Sequence, residues 1–212
     1  MFRSKKQLLR VCPKIFIWSH TKKAEIEYFQ DFKHCLRTPL IQPEKYICGT
    51  PQELIRYIIQ WKKKEIDEKD KDQVWCIFDV DDFYKNGKVD FLKAITEAKR
   101  NNIKIAYANE CFELWILLHF KRINSPIYNR GTIEKEIQKV FKKNALGNFN
   151  KNQKVFRALL PFQLKAIQNA KKLITEDYDE IDFDKMLSSE GNPSTSIHFL
   201  VEEINKKFGV KV

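Results

Sequence analysis

Short apolar runs alternate with amphipathic helical patterns through the first 120 residues, and this alternation does most to narrow the fold. Lys14–Ser19 (KIFIWS) reads as a buried strand. A helical pattern follows from about Lys22 to Leu36, with Ile26, Phe29 and Phe32 on one face. Lys45–Cys48 reads as a short strand. Thr50-Pro51-Gln52-Glu53 is a capping box with proline at the first helical position, where its missing N–H costs nothing. It opens a helix in which Leu54, Ile55, Ile58 and Ile59 recur at 3–4 spacing. Val74–Asp79 is the clearest buried strand, Asp90 is expected to cap the next helix, Ile103–Ala108 is a fourth strand, and Cys111–Phe120 is a strongly apolar helix. Strands separated by helices of this length are β-α-β units, so the expected class is α/β: a mainly parallel sheet covered on both faces. After a loop-like stretch from Asn124 to Gly131 the pattern is helical over about Thr132–Lys143, Gln153–Leu173 and Ser194–Phe208. Without repeats or clear linkers, the expectation is a core over residues 1–123 and a helical C-terminal region over 124–212, packed on the same sheet.

Composition narrows the function classes. With 43% hydrophobic and 13% aromatic residues the chain can bury a core and is not a disordered polymer. No run approaches the roughly 18–20 apolar residues that a membrane span needs. Arg10 and Lys14 interrupt the basic N-terminal stretch and no small-residue cleavage site follows, so a signal peptide is not expected. Cys12, Cys35, Cys48, Cys76 and Cys111 are odd in number and contain no C-x-x-C pair, which points to reduced thiols and not to a zinc knuckle. The expected location is the cytoplasm, with no membrane partner. The net charge of +11 invites a nucleic-acid partner, because cationic side chains release counterions from phosphates. The excess is mostly lysine, however, and solvated lysine faces explain it equally well; both readings stay open here.

In parallel α/β sheets, chemistry sits beyond the carboxyl ends of the strands. That rule directs attention to Ser19-His20, Asp79–Asp82 and Asn109–Glu113. In Phe78-Asp79-Val80-Asp81-Asp82-Phe83, an apolar strand runs into three carboxylates within four residues. Asp79 and Asp81 straddle one residue, and hard oxygen donors so spaced suit Mg²⁺ or Mn²⁺. Ordinary turn chemistry at a strand exit is the alternative. Glu113 lies in the first turns of an apolar helix, where a carboxylate must be paired, hydrogen-bonded, on a metal or stabilised by the helix dipole. His119 reads as a hydrogen-bonded core residue. Asn192-Pro193-Ser194-Thr195 reads as a helix cap, with His198 one turn later a candidate to orient a phosphate. Lys151 and Lys154, ahead of an amphipathic helix, are candidate phosphate contacts or simply solvated.

The segments FDVDDF (78–83), NECFELWILLHF (109–120) and GNPSTSIHFLVEEI (191–204) resemble the RloB family, known also from abortive-infection proteins of the AbiLii type. The resemblance spans nearly the whole chain, and its most specific pieces are the CFELW…LLHF and NPST…H…LVEE blocks. It implies a Toprim-like, Rossmann-like parallel core with acidic metal-binding residues, a place in anti-phage defence beside an RloA-type ABC ATPase, and metal-dependent nuclease activity on RNA, tRNA included, or DNA. The chain itself carries no G-x-x-x-x-G-K-[ST] motif, so nucleotide hydrolysis is assigned to the partner. A homo-oligomer is a further expectation.

One departure from the family pattern bears on catalysis. Members typically carry E-G-x-x-T-E after the first strand, followed by an aromatic pair. Aligned on Tyr28-Phe29, this chain reads His20-Thr21-Lys22-Lys23-Ala24-Glu25. Glu25 keeps the second glutamate, while His20 replaces the first. Two outcomes are open: a site rebuilt around Glu25, Asp79, Asp81 and Glu113, with His20 as a base near neutral pH, or a catalytically silent binding or sensor module that pairs with an ATPase. Asp79, Asp81 and Glu25 are the expected metal donors in the first.

Overall fold

The computed structural model describes residues 12–19, 24–67, 71–126, 129–186, 188 and 191–210, with backbone only at 81–86, 88 and 186. Strand β1 (Ile15–Ser19) leads to α1 (Ala24–Leu36), β2 (Ile41–Lys45), α2 (Pro51–Glu65), β3 (Gln73–Asp79), α3 (Val80–Arg100) and β4 (Ile103–Asn109). Then come α4 (Glu113–Leu118), α5 (Arg130–Lys143), α6 (Phe156–Leu159), α7 (Gln163–Lys171), α8 (Phe183–Met186), β5 (Ser194–Thr195) and α9 (Ile197–Phe208). The sheet order is β2-β1-β3-β4-β5. β1 to β4 are mutually parallel, and β5 runs antiparallel to β4 through Ala108–Thr195 and Asn109–Ser194. This is the α/β class the sequence pattern predicts, with a helical C-terminal region.

Because side chains alternate across a strand, β3 divides its residues between two cores. Val74, Cys76 and Phe78 face α2 and α3, in a cluster with Leu54, Ile58, Phe91 and Ile95. Trp75 and Ile77 face the other way, into a larger cluster with Phe29 and Phe32 of α1, Leu114 and Trp115 of α4, and Ile137, Ala166, Leu200 and Ile204 of α5, α7 and α9. Complete burial of each large side chain is worth about 1.5–3 kcal/mol, so both faces are firmly covered. Asp79, next in the Trp75–Ile77 row, is carried to the α4 side. On β4, the small Ala106 and Ala108 lie on that same side.

Both sheet edges are blunted, which limits pairing with other chains. Pro43 interrupts the donors of β2. Along β4, the Tyr178 hydroxyl donates to the Ile105 carbonyl (3.1 Å) and accepts from its N–H (2.6 Å), while Ser196 Oγ accepts from Tyr107 N–H (3.0 Å).

Several boundaries differ from the sequence expectation. The second strand is Ile41–Lys45, not Lys45–Cys48, because Ile41 reaches the core whereas Ile47 is 65% exposed. The expected capping box forms: Thr50 Oγ1 accepts from Glu53 N–H (3.2 Å), and Glu53 reaches back to the N–H of Gly49 (2.9 Å). Asp90 is not a helix cap: α3 begins at Val80, its helical backbone breaks at Gly87, and Asp90 lies in the first turn after that break. The helix expected over 153–173 is divided between α6 and α7 by a 3₁₀ turn, Leu160–Phe162, with Pro161 at its start. Ser194 and Thr195 form a short strand, and the last helix begins at Ile197.

His119 and His198 are fully buried. Nδ1 of His119 donates to the Trp115 carbonyl (2.9 Å), and Nδ1 of His198 to that of Thr195 (3.1 Å). Burial is the leading cause that lowers both imidazoles from 6.5 to about 4. Between these values the unfolded chain binds protons that the folded chain refuses, so stability is lost as pH falls from about 6.5 towards 4. Each histidine contributes at most about 3 kcal/mol to that loss. Urea unfolding between pH 7 and 4.5 should therefore show a shallower pH dependence in His119→Phe than in wild type; parallel profiles would mean that His119 does not titrate as described.

Candidate active site at the carboxyl end of the sheet

The Asp79 carboxylate ends β3 and is 3% exposed. A charge so placed must be hydrogen-bonded and paired. Oδ1 accepts from the N–H of Phe112 (2.9 Å), and Oδ2 accepts from Nη2 of Arg130 (2.8 Å). Phe112 immediately precedes α4, and Arg130 is the first residue of α5, whose N-cap Asn129 accepts from Gly131 N–H (2.7 Å). A cation in the first turn of a helix opposes the helix dipole. The ion pair with Asp79 gives a physical reason for an arginine there.

Glu113, the first residue of α4, is also buried. Nζ of Lys151 lies 3.3 Å from its carboxylate and 2.5 Å from that of Glu134 on α5. Burial pulls the Lys151 ammonium down, but Glu134 and Glu113 together outweigh it and leave the group more basic than usual. The Cys111 thiol hydrogen-bonds to Glu113; burial, then the charges of Glu113 and Asp79, push it well above the ordinary thiol range, so it is a protonated donor and not a nucleophile. Glu110 is buried and accepts from Nδ2 of Asn192 (3.3 Å), which ties the β4 exit to the segment before β5. The Asn109–Glu110 and Asn192–Pro193 peptide bonds are cis.

Three carboxylates (Asp79, Glu113, Glu134) thus meet two cations (Arg130, Lys151). The cations keep side-chain exposures of 28% and 26%, while Asp79 and Glu113 keep 4% each. The positive groups form the rim and the two buried carboxylates the floor.

Of the residues singled out from sequence, Asp79, Glu113 and Lys151 meet here. Glu25 is buried in the first turn of α1, which follows β1 at the same end of the sheet. Asp81 lies in the first turn of α3, and its side chain is outside the described residues, as is the whole of His20. Lys154 is exposed. His198 lies in the core, with the Thr195 carbonyl, the Phe199 ring (centroids 4.0 Å apart) and the charge of Lys171 around it, so a phosphate in solvent does not reach it. Sequence reasoning missed Arg130, Glu134 and Cys111. The one available signal was Asn129 ahead of an amphipathic run, which starts the helix before Thr132 and puts a basic residue in its first turn.

A cavity of about 640 Å³ lies elsewhere, between the ends of α2 and α3 and lined by Lys62, Asp67, Asp72 and Arg100. It opens at the amino ends of β3 and β4. The position rule for parallel sheets and the convergence of buried charges both favour the carboxyl end as the chemical site.

Neutralising Arg130 leaves the Asp79 charge buried with one partner fewer. Arg130→Gln should cost about 2 kcal/mol, discounted for the exposure of the guanidinium. Asp79→Asn combined with Arg130→Gln should recover part of that loss, with a coupling energy of about 1–2 kcal/mol in a double-mutant cycle read by denaturant unfolding. Strict additivity of the two changes would mean that the pair contributes no mutual stabilisation.

Comparison with known proteins bears on residues 15–204, which match the family model described as RloB-like protein. No curated protein and no solved structure matches the chain. The match runs from β1 into α9 and takes in both buried carboxylates and both cations that face them, and the chain belongs to the RloB-like family.

Proposed function

We propose that the chain is a defence nuclease of the RloB type, hydrolysing phosphodiester bonds of RNA or DNA at the Asp79–Glu113 site and working with an RloA-type ABC ATPase. The observation that carries this reading is the pairing of buried carboxylates with fixed, half-exposed cations at the carboxyl end of a parallel sheet. Arg130 is oriented by Asp79, and Lys151 by Glu113 and Glu134. Both are held in place before a ligand arrives, so little side-chain entropy is lost when a phosphate meets them. Arginine held in this way presents a planar fork to phosphate oxygens, and lysine a point charge.

Mg²⁺ or Mn²⁺ belongs to this proposal through the Toprim-like resemblance. Asp79 and Glu113 offer the hard oxygen donors such ions take. As arranged, the described residues do not make a divalent-ion site: each of the two carboxylates already faces a cation of the chain, and no group of three or more His, Cys, Asp or Glu among the described residues is placed to hold a metal. This favours a second reading, a nucleic-acid-binding or sensor module that has lost catalysis and signals through the ATPase.

Cleavage of total RNA and plasmid DNA, with Mn²⁺ or Mg²⁺ and with the ATPase present, separates the two. Under the nuclease reading wild type cleaves, and Glu113→Gln, which keeps the shape of the site, loses about 10²–10⁴-fold in rate while its melting temperature changes little. Absence of cleavage by wild type in every condition would leave the binding reading standing. Calorimetry with Mn²⁺ adds an independent check. If the ion uses Asp79, Arg130→Gln should bind it more tightly than wild type, because the competing cation is gone; equal affinities would remove the metal from this position.

A further inference from the structure

Residues 137–175 contain no Asp or Glu and nine Lys or Arg. At the chain's average frequency, about five acidic residues would fall in those 39 positions. The segment therefore carries a net charge of +9; residues 1–24, with seven Lys or Arg and no acid, carry +7, and the remaining residues are net acidic.

The same residues build the outer layer over α4: the second half of α5, the connection that holds Lys151, then α6 and α7. Ile137, Phe141, Phe149, Phe156, Leu159, Ala166 and Ala170 turn inward to the core. Lys142, Lys143, Lys154 and Lys172 are exposed, and among the described residues no carboxylate pairs with them. Helix dipoles favour basic residues in the last turns of α5 and α7, which explains part of the pattern. The same dipoles favour acidic residues in the first turns of α6 and α7, and there are none. Burial does not exclude acids from the exposed positions either. What the layer does share is a single sign of charge and continuity with the site, because Lys151 belongs to it and touches Glu113. The N–H of Arg157, at the start of α6, is held by Asp31 of α1 (3.0 Å), so the layer is anchored where it leaves the site.

We propose that the exposed face of the second half of α5, with α6 and α7, is a track for the phosphate backbone of a nucleic acid, leading to the Asp79–Glu113 site past Lys151. The inference rests on the nucleic-acid reading above and names the surface that does the binding. A one-sign surface of this kind contacts phosphates without reading bases, so its hallmark is salt-dependent affinity with little sequence preference.

The test is fluorescence anisotropy of the full chain with a labelled 20-nucleotide single-stranded RNA at several salt concentrations. Wild type is compared with Lys142→Gln/Lys143→Gln/Lys154→Gln/Lys172→Gln. The control, Lys63→Gln/Lys64→Gln/Lys93→Gln/Lys206→Gln, removes the same charge from exposed positions elsewhere. The track variant should bind at least tenfold more weakly at moderate salt, with a log–log salt slope shallower by about 2–3, since each lost single-strand contact removes about 0.7. The control should stay within about threefold of wild type, and all three proteins should melt alike. Equal losses in both variants, or none in either, would overturn the track while leaving nuclease activity to its own assay. Failure of wild type to bind the RNA or a DNA of the same length would overturn the track together with the nucleic-acid reading.

Discussion

A buried carboxylate at the end of the central strand is the constraint on which this structure turns. Strand alternation sends Asp79 to the same side as Trp75 and Ile77, towards α4. A carboxylate on that side needs donors, and it draws them from two different parts of the chain. The Phe112 N–H sets where α4 begins, and the Arg130 guanidinium sets where α5 begins. One side chain thereby fixes the entry of two helices that are contiguous with the larger core. The interaction is worth more as a specification of geometry than as net stability, since desolvation offsets much of the Coulombic attraction in a buried pair.

A second ion cluster repeats the device one step along. Lys151 joins Glu113 of α4 to Glu134 of α5, while Nζ of Lys121 and of Lys139 meet Glu136 on α5 (2.9 and 2.7 Å). Glu136 is held down at about 2, by Lys139 first and then Lys121, so it stays ionised at any physiological pH. The α4–α5 contact is apolar within and charged at its rim, and only the rim cations belonging to the site are oriented by nearly inaccessible carboxylates. That asymmetry separates a site from surface ion pairs, which contribute little to stability.

The parts of the fold legible in the sequence are those governed by short-range rules. VWCIF (74–78) and IAYA (105–108) are continuous apolar runs because both faces of β3 and β4 are covered. Thr50 and Glu53 cap α2 by local geometry alone. Asp79 and Glu113 stood out because a carboxylate inside an apolar run must have a reason. The parts that were not legible depend on partners far away in the chain. β5 is two residues long and exists only because β4 offers an edge 85 and 87 positions upstream of its pairing residues. Arg130 lies 51 residues from Asp79, in a stretch whose local composition suggests a loop. His198 follows a helix-opening motif that promised access, yet tertiary packing covers it completely. The departure at His20 and the position of the Asp81 carboxylate lie outside the described residues, so the sequence alone speaks there.

Charge was the feature most easily misread, because a total conceals a distribution. A net +11 spread evenly over a surface of mixed sign would give only weak attraction to polyanions, much of it screened within about 8–10 Å at physiological salt. Concentrating a net +9 in residues 137–175 changes the physics: the potential over that layer is set by a segment that holds no acid of its own. The site as a whole works in the opposite sense, with three carboxylates against two cations and a small excess of negative charge. Under the proposed track, a polyanion drawn to the outer layer would be discouraged from settling on Asp79 and Glu113 unless Arg130 and Lys151 turned part of their positive charge towards it, or another cation offset the carboxylates. On the proposed nucleic-acid reading, long-range attraction would fall to the outer layer and short-range selectivity to the site, and Lys151 is the group that belongs to both.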